Sequence, residues 1–294
     1  MPNNTINWGQ AAATNSNGFG AAVGNNNIDW GKIHAITYGH DETDLVGAKP
    51  SYIDIFGAPE IGISFRDLLG TNPNCVVIRR SSDNALETFT VSEVTDGTLT
   101  TWTGANDGFI QTWFNQGSGS DFIQNTASRQ PKLVSAGVLE TENGLPIARR
   151  NGVDGGILST NDFSDAVARS FFYVGKSPLQ NFCLIGSSNS GTDYGYFAQD
   201  GSVSIYNSAL VPSSERLNLA AWSPISRDNV YDDLVGQFLV VVQCTFNYTD
   251  TNIRLGFRES NPAGFGMADT QEFIIYAGNT DNTAKETNVN NYWR

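Results

Sequence analysis

The chain is short of the residues that carry most catalytic and metal chemistry. Its 294 residues include only two histidines and three cysteines. Cys75, Cys183 and Cys244 lie far apart, are odd in number and form no CxxC or Cys/His cluster, which argues against a zinc site. Cys183 and Cys244 fall in apolar runs and read as buried small hydrophobes. A Ser-His-Asp triad would have to use His34 or His40, and no GxSxG elbow presents a serine. Basic residues are scarce too: 17 Lys and Arg face 30 Asp and Glu, for a formal charge of −13. Nucleic-acid binding needs Lys/Arg clusters, so neither nucleic acid nor an anionic membrane surface is an expected partner. Arg79–Arg80 and Arg149–Arg150 are isolated pairs, expected to be salt-bridged at the surface. The longest apolar run, Phe238 to Val242, is far too short to cross a bilayer. The opening MPNNTINWGQ has neither the basic nor the apolar region of a secretory signal. The expectation is a soluble protein made in a cytoplasm. Asp41, Glu42 and Asp44 lack EF-hand spacing and read as a solvated linker, so no metal and no cofactor is expected.

The most informative positive feature is an 11-residue repeat across the first 36 residues. Asn4 to Thr14 reads NTINWGQAAAT, Asn15 to Asn25 NSNGFGAAVGN, and Asn26 to Ile36 NNIDWGKIHAI. Asn4, Asn15 and Asn26 fall in one column; Trp8, Phe19 and Trp30 fall in another, each followed by glycine. Ile6 with Trp8, and Ile28 with Trp30, lie on one side of an extended segment, with Asn7 and Asp29 on the other. The following glycine permits a bend. Only Asp29 and Lys32 carry charge before residue 37, so the segment can be buried. Fixed-period repeats bury their apolar faces by stacking on neighbours, and three short units cannot form a core alone. Residues 1–36 therefore read as an attachment device, with Asn4, Ile6, Trp8, Phe19, Asn26, Ile28 and Trp30 as its contacts. A flexible Asn/Gly-rich leader is the competing reading.

Residues 37–50 are polar and charged and read as a linker to a domain over 51–294. Charged residues are only 16% of the chain, and it holds 30 glycines, as in a turn-rich all-β protein. A short helix is predicted over Ile63 to Leu69. Strands are predicted at Cys75–Arg79, Glu87–Ser92, Phe109–Asn115, Lys132–Ser135, Arg169–Lys176, Phe182–Ser187 and Gly195–Gln199. More follow at Val203–Asn207, Phe238–Asn247, Ile253–Arg258 and Glu272–Tyr276. Turn signals such as Thr95-Asp96-Gly97 and Glu142-Asn143-Gly144 separate them. Many short strands with such punctuation predict a β-sandwich or jelly roll. Thr283 to Trp293, with Ala284, Thr287, Val289 and Tyr292, predicts a short C-terminal helix.

Three passages then point to a family: NCVVIRRSSDNALETF (74–89), GANDGFIQTWFNQGSGSDFIQ (104–124) and QEFIIYAGNTDNTAKETNVNNYW (271–293). Together they resemble a concanavalin A-like jelly roll related to the catalytic domain of fungal α-L-arabinofuranosidase B. They resemble more strongly the non-enzymatic relatives of that domain in tailed-phage virion proteins, whose leaders the NNTINWGQ-type repeat is also similar to. The resemblance implies a virion location and a particle-anchored domain. It departs from the enzymes where they carry an Asp-Gln-Ser-Gly loop, because this chain reads Asn115-Gln116-Gly117-Ser118. The enzymes' nucleophilic glutamate lies on a central strand, and residues 181–200 contain no glutamate. Retaining glycosidases need two carboxyl groups about 5 Å apart; Asp193 and Asp200 remain, beside turn glycines. No catalytic residue is assigned.

Aromatic faces beside amides can bind sugars, which makes Trp102, Trp113, Asn115 and Gln116 candidate glycan contacts; Trp113 also has a core reading within its strand. The expected function is a structural virion protein of a tailed phage: a head fibre, decoration or tail appendage. Its partners would be capsid or tail proteins and copies of itself, in a trimer by analogy with phage fibres. A carbohydrate-binding adhesin that meets a cell-surface glycan is the alternative, and an active glycosidase the third reading.

Overall fold

The computed structural model describes residues 50–151, 155–159, 167–177, 181–187, 195–198, 210–246, 253–256, 266–278 and 282–294. These belong to the compact unit Pro50–Arg294. The repeat segment, its seven candidate anchor residues and the linker through residue 49 lie outside the described residues, as do the strand expected at Val203–Asn207, Asp193 and Asp200.

Two antiparallel sheets face each other. The first contains β1 (Ile61–Ser64), β11 (Ala168–Lys176), β14 (Leu210–Leu217), β15 (Ala220–Ala221), β16 (Gln237–Phe246) and β18 (Asp269–Ala277). Its spatial order is β1-β18-β11-β16-β14-β15. The second contains β2 (Asn74–Arg80), β3 (Leu86–Thr90), β4 (Gly108–Trp113), β5 (Phe122–Ile123), β6 (Lys132–Ser135), β7 (Val138–Leu139), β10 (Ile157–Ser159), β12 (Phe182–Ser187), β13 (Gly195–Ala198) and β17 (Ile253–Leu255). Its order is β13-β12-β17-β10-β5-β4-β2-β3, and β6 branches from β4 to carry β7. The chain switches sheets repeatedly, which gives a jelly-roll-like sandwich. A separate hairpin joins β8 (Thr141–Glu142) to β9 (Leu145–Pro146) through Asn143 and Gly144. Both turn residues have positive φ, 50° and 78°, as a tight right-twisting hairpin requires.

Register explains why the first sheet reads as apolar runs rather than alternation. Phe171 pairs with Val242 and Ile275, and Tyr173 with Val240 and Phe273. This row faces the second sheet: Phe273 meets Phe122 edge-on at 6.5 Å, and Phe238 stacks on Phe182 at 6.3 Å. The alternate row, Phe172 with Val241 and Ile274, is also fully buried or nearly so. It is covered by the terminal helix and by the chain around Tyr52 and Gly57. The central strands β11, β16 and β18, buried on both faces, have no solvent side to encode, so they carry largely hydrophobic sequence.

Five α-helices occur among the described residues: α1 (Tyr52–Phe56), α2 (Val91–Thr95), α3 (Thr98–Thr103), α4 (Arg227–Asp233) and α5 (Thr283–Trp293). The helix expected at Ile63–Leu69 is absent. Ile61 to Ser64 instead pairs with Ile275 to Glu272 of β18, since a helix there would leave that strand's backbone unpaired. The Asp67 carboxylate then accepts the N–H groups of Leu69, Gly70 and Asn72 to make the turn. The strand expected to reach Ser92 stops at Thr90, which caps α2 in a box closed by Glu93. The C-terminal helix has its expected bounds; it buries Glu286, Val289 and Trp293, whereas Ala284, Thr287 and Tyr292 are exposed.

Cys75, Cys183 and Cys244 are all buried, and none of them is in a disulfide. Burial pushes the Cys244 thiol up to about 12 and the Cys75 thiol up as well. The native protein is expected to leave all three thiols unreactive to Ellman's reagent and to release them together on denaturation. Prompt reaction of one thiol in the folded protein would contradict this packing.

Candidate functional site

The chain leaving β4 turns back under β1, and the turn is built by two amides. Asn115 Oδ1 accepts the N–H of Gly62 at 2.7 Å and of Gly117 at 2.9 Å. Its Nδ2 donates to the Glu60 carbonyl at 3.2 Å, and its own N–H donates to Asp121 at 2.9 Å. Gln116 accepts the Leu68 N–H at 2.8 Å and donates to the carbonyls of Ser64 and Arg66 at 3.1 and 3.0 Å. Gly117 has no room for a side chain, since a Cβ there would lie 2.5 Å from the Pro59 carbonyl oxygen. Glu60 in turn holds Arg169 of β11 at 2.8 Å. Five residues of this corner thus lock β1 to the end of β4 and tie it to the middle of the first sheet.

These positions decide what the four candidate glycan residues touch. Trp113 is fully buried and stacked on Phe65 at 4.3 Å, so its faces are packed inside the sandwich. Gln116 is buried, and Asn115 is engaged with main chain on both ends of its amide. Trp102 is half-buried on α3, under the Arg80 guanidinium at 4.5 Å and edge-on to Phe89 at 5.5 Å. Arg80 pairs with Gly108, whereas Val76 pairs with Trp113. Phe89 pairs with Val76 in turn, so Trp102 is held by side chains of β2 and β3, while Trp113 and Gln116 are buried. The structure does not assemble the four into one surface.

A buried charge cluster lies on the outer face of the first sheet. Arg66 reaches Glu272 of β18 in a two-pronged pair, Nε to Oε2 at 2.6 Å and Nη2 to Oε1 at 2.8 Å. The Ser64 hydroxyl donates to the same carboxylate at 2.6 Å, and Arg66 Nη1 donates to Asn288 of α5 at 2.8 Å. The rings of Tyr52 and Tyr292 lie 4.5 and 5.0 Å from the guanidinium. The Glu272 side chain has no exposed surface, and that of Arg66 only 7%. Nearby acids are similarly engaged. Asp269 accepts from Arg149 at 3.0 Å and from the Arg150 N–H at 2.8 Å; burial raises its carboxyl above the ordinary range, against the pull of both donors.

Beside this cluster, at the start of α5, is a cleft of about 120 Å³ lined by Ser214, Arg216, Val241, Gln243, Asn282, Thr283 and Glu286. Glu286 accepts from Arg216 Nε at 2.6 Å through Oε2, while its Oε1 is buried without a partner. The same holds for Asn282 Oδ1, whose Nδ2 donates to Ser170 at 2.8 Å. Sequence reasoning missed Arg66, Glu272 and Glu286. One signal was present: Glu272 opens the otherwise apolar run predicted as a strand at Glu272–Tyr276, where an acid needs a buried partner.

The class of protein is set by these strands: an all-β, jelly-roll-like sandwich with one short C-terminal helix. No family model and no curated protein matches the chain. Among solved structures it is similar to a mutant GH54 α-L-arabinofuranosidase soaked with 4-nitrophenyl α-L-arabinofuranoside. It is also similar to an arabinofuranosidase complexed with arabinofuranosyl-α-1,2-xylobiose. Both align at TM-score 0.42 and 10% identity, over 81% of this chain and 63% of the other. The chain thus spans less than two thirds of the length of the structures it matches.

Two sets of substitutions test the framework. Glu272→Gln or Arg66→Ala is expected to destabilise the domain by about 3–5 kcal/mol, because each strands a buried charged or polar partner. Replacing both with methionine should recover at least half of that loss in a chemical denaturation curve. A double variant as unstable as the singles would show that the pair is not the source of the cost. At the corner, Asn115→Ala leaves two N–H groups without their acceptor and should cost about 1–3 kcal/mol. Asn115→Asp keeps the acceptor and should cost clearly less; equal losses would refute the bonding described.

Proposed function

We propose that the protein is a structural component of a tailed-phage virion, in which residues 1–36 attach to the particle and the sandwich is displayed. The observation that carries this reading is the repeat, with Trp8, Phe19 and Trp30 in register in a nearly uncharged segment. Three stacked units have unfilled faces, and neighbours supply what is missing, either copies of the chain or a capsid or tail protein. The sandwich supports the reading in a second way. Asn115, Gln116 and Gly117 hold main chain together, in the stretch where the resembling enzymes carry an acidic loop. A framework role for that loop suits a displayed domain without a catalytic step. Head fibre, decoration protein and tail appendage are all compatible with this arrangement.

Deleting residues 1–36 is expected to abolish incorporation into particles while leaving the melting of the domain within a degree or two of the full chain. Trp8→Ala with Trp30→Ala should act like the deletion, since losing a buried aromatic costs about 3–5 kcal/mol. Sedimentation of the full chain should show trimers that the deletion converts to monomers. The full chain should turn over no aryl arabinofuranoside. A truncated chain that still enters particles, or that unfolds, would refute the division into anchor and payload.

A further inference from the structure

We infer that Asn143, at the tip of the β8–β9 hairpin, is a site of spontaneous covalent modification, where the side-chain amide is lost through a cyclic imide formed with the main-chain nitrogen of Gly144. The inference does not depend on where the protein is located.

Such a step needs an accessible carboxamide, a free main-chain nitrogen after it and no side chain crowding the approach. Asn143-Gly144 is the one Asn-Gly pair among the described residues, and both of its residues are exposed. Among those residues nothing accepts the Gly144 N–H. A Cβ at Gly144 would meet nothing within 4 Å, so the nitrogen is open to approach. Asn143 is held at φ 50°, and a residue with a Cβ gives up little by leaving that region. Asn218 is the matched opposite. It also begins a two-residue hairpin turn, between β14 and β15, with φ 53°, and it too is exposed. Its N–H donates to the Leu239 carbonyl at 2.9 Å, and its Oδ1 accepts the Leu239 N–H at 2.9 Å. The residue after it is Leu219, which carries the side chain that Gly144 lacks.

In the reaction the Gly144 nitrogen gives its proton to solvent and attacks Cγ of Asn143. The new N–Cγ bond closes the imide, the Cγ–Nδ2 bond breaks, and Nδ2 takes protons from water and leaves as ammonia. Water then opens the ring. Cleavage at Cγ gives aspartate; cleavage at the main-chain carbonyl carbon gives isoaspartate, with an extra backbone atom in the turn. No oxidant or reductant takes part. Either product disturbs the same contacts. Asn143 Nδ2 donates to Gln237 Oε1 at 2.5 Å, and a carboxylate there sets acceptor against acceptor. Gln237 is not free to reverse its amide, because its Nε2 donates to Gln271 and to the Trp293 carbonyl at the end of α5. The modification therefore loosens the hairpin from the start of β16.

The test is peptide mapping by mass spectrometry on the full chain, stored for weeks at neutral and at mildly alkaline pH. Asn143 is expected to convert at least about tenfold faster than Asn218, and faster at the higher pH, since the attacking nitrogen must be deprotonated. Asn143→Asp, made directly, should exchange the amide hydrogens of residues 141–146 faster than wild type, with unchanged exchange in β11. The inference fails if Asn143 stays intact while an unstructured peptide of residues 139–147 converts, because the folded turn then protects it. It fails as well if Asn143 and Asn218 convert at one rate. Equal exchange in wild type and Asn143→Asp would refute the loosening.

Discussion

The Arg66–Glu272 pair is the interaction on which the outer half of this domain depends. Two charges removed from water are expensive unless geometry and extra hydrogen bonds compensate. Here the compensation comes from four separate elements: the end of β1 through Ser64, β18 through Glu272, α5 through Asn288, and the aromatic rings of α1 and α5. The pair can be satisfied only when all of these have arrived. It therefore fixes the seating of the terminal helix on the first sheet more sharply than apolar contact would, because hydrophobic burial has no direction and a two-pronged ion pair does.

That seating has consequences at both ends of the helix. At its C-terminal end Trp293 is buried and its carbonyl accepts from Gln237 at the start of β16. At its N-terminal end the same placement brings Glu286 and Asn282 over β14 and β16 and opens the cleft beside Arg216. The cleft and the charge cluster are thus products of one docking event. The inner half of the domain follows another rule. Its core is aromatic and aliphatic, from Phe122 and Phe182 to Tyr173 and Phe273, and the buried polar side chains Gln116, Gln124, Gln130 and Thr270 each have hydrogen-bond partners.

The corner shows how a passage with functional chemistry becomes framework. Asn115 and Gln116 carry both donors and acceptors, as sugar-binding residues do. The sharp return from β4 to β1 leaves several N–H and C=O groups that cannot pair within the sheet, and buried main-chain groups must be satisfied. The two amides meet that need. Sequence shows the chemical capacity of such residues, and only the path of neighbouring backbone shows whether it is already engaged.

Much of the architecture was legible in the chain. Period-two and apolar runs bounded by turn residues located strands such as Cys75–Arg79, Lys132–Ser135, Arg169–Lys176 and Phe182–Ser187, because local pattern and burial agree there. Asn143-Gly144 located a hairpin, because only certain residues tolerate positive φ. The bounds of the terminal helix were legible as well. The 11-residue register of residues 1–36 is likewise a property of the sequence alone. Tertiary structure decided the rest. Ile61–Ser64 became a strand because β18 offered it a partner, and the seven residues Ile63–Leu69 do not by themselves carry that information. The inner face of α5 was set by Glu286, which no hydrophobic pattern marks as buried. The partnership of Arg66 with Glu272 spans 206 residues of chain. A pair that distant leaves no local trace, because its energy exists only once both side chains have left water together.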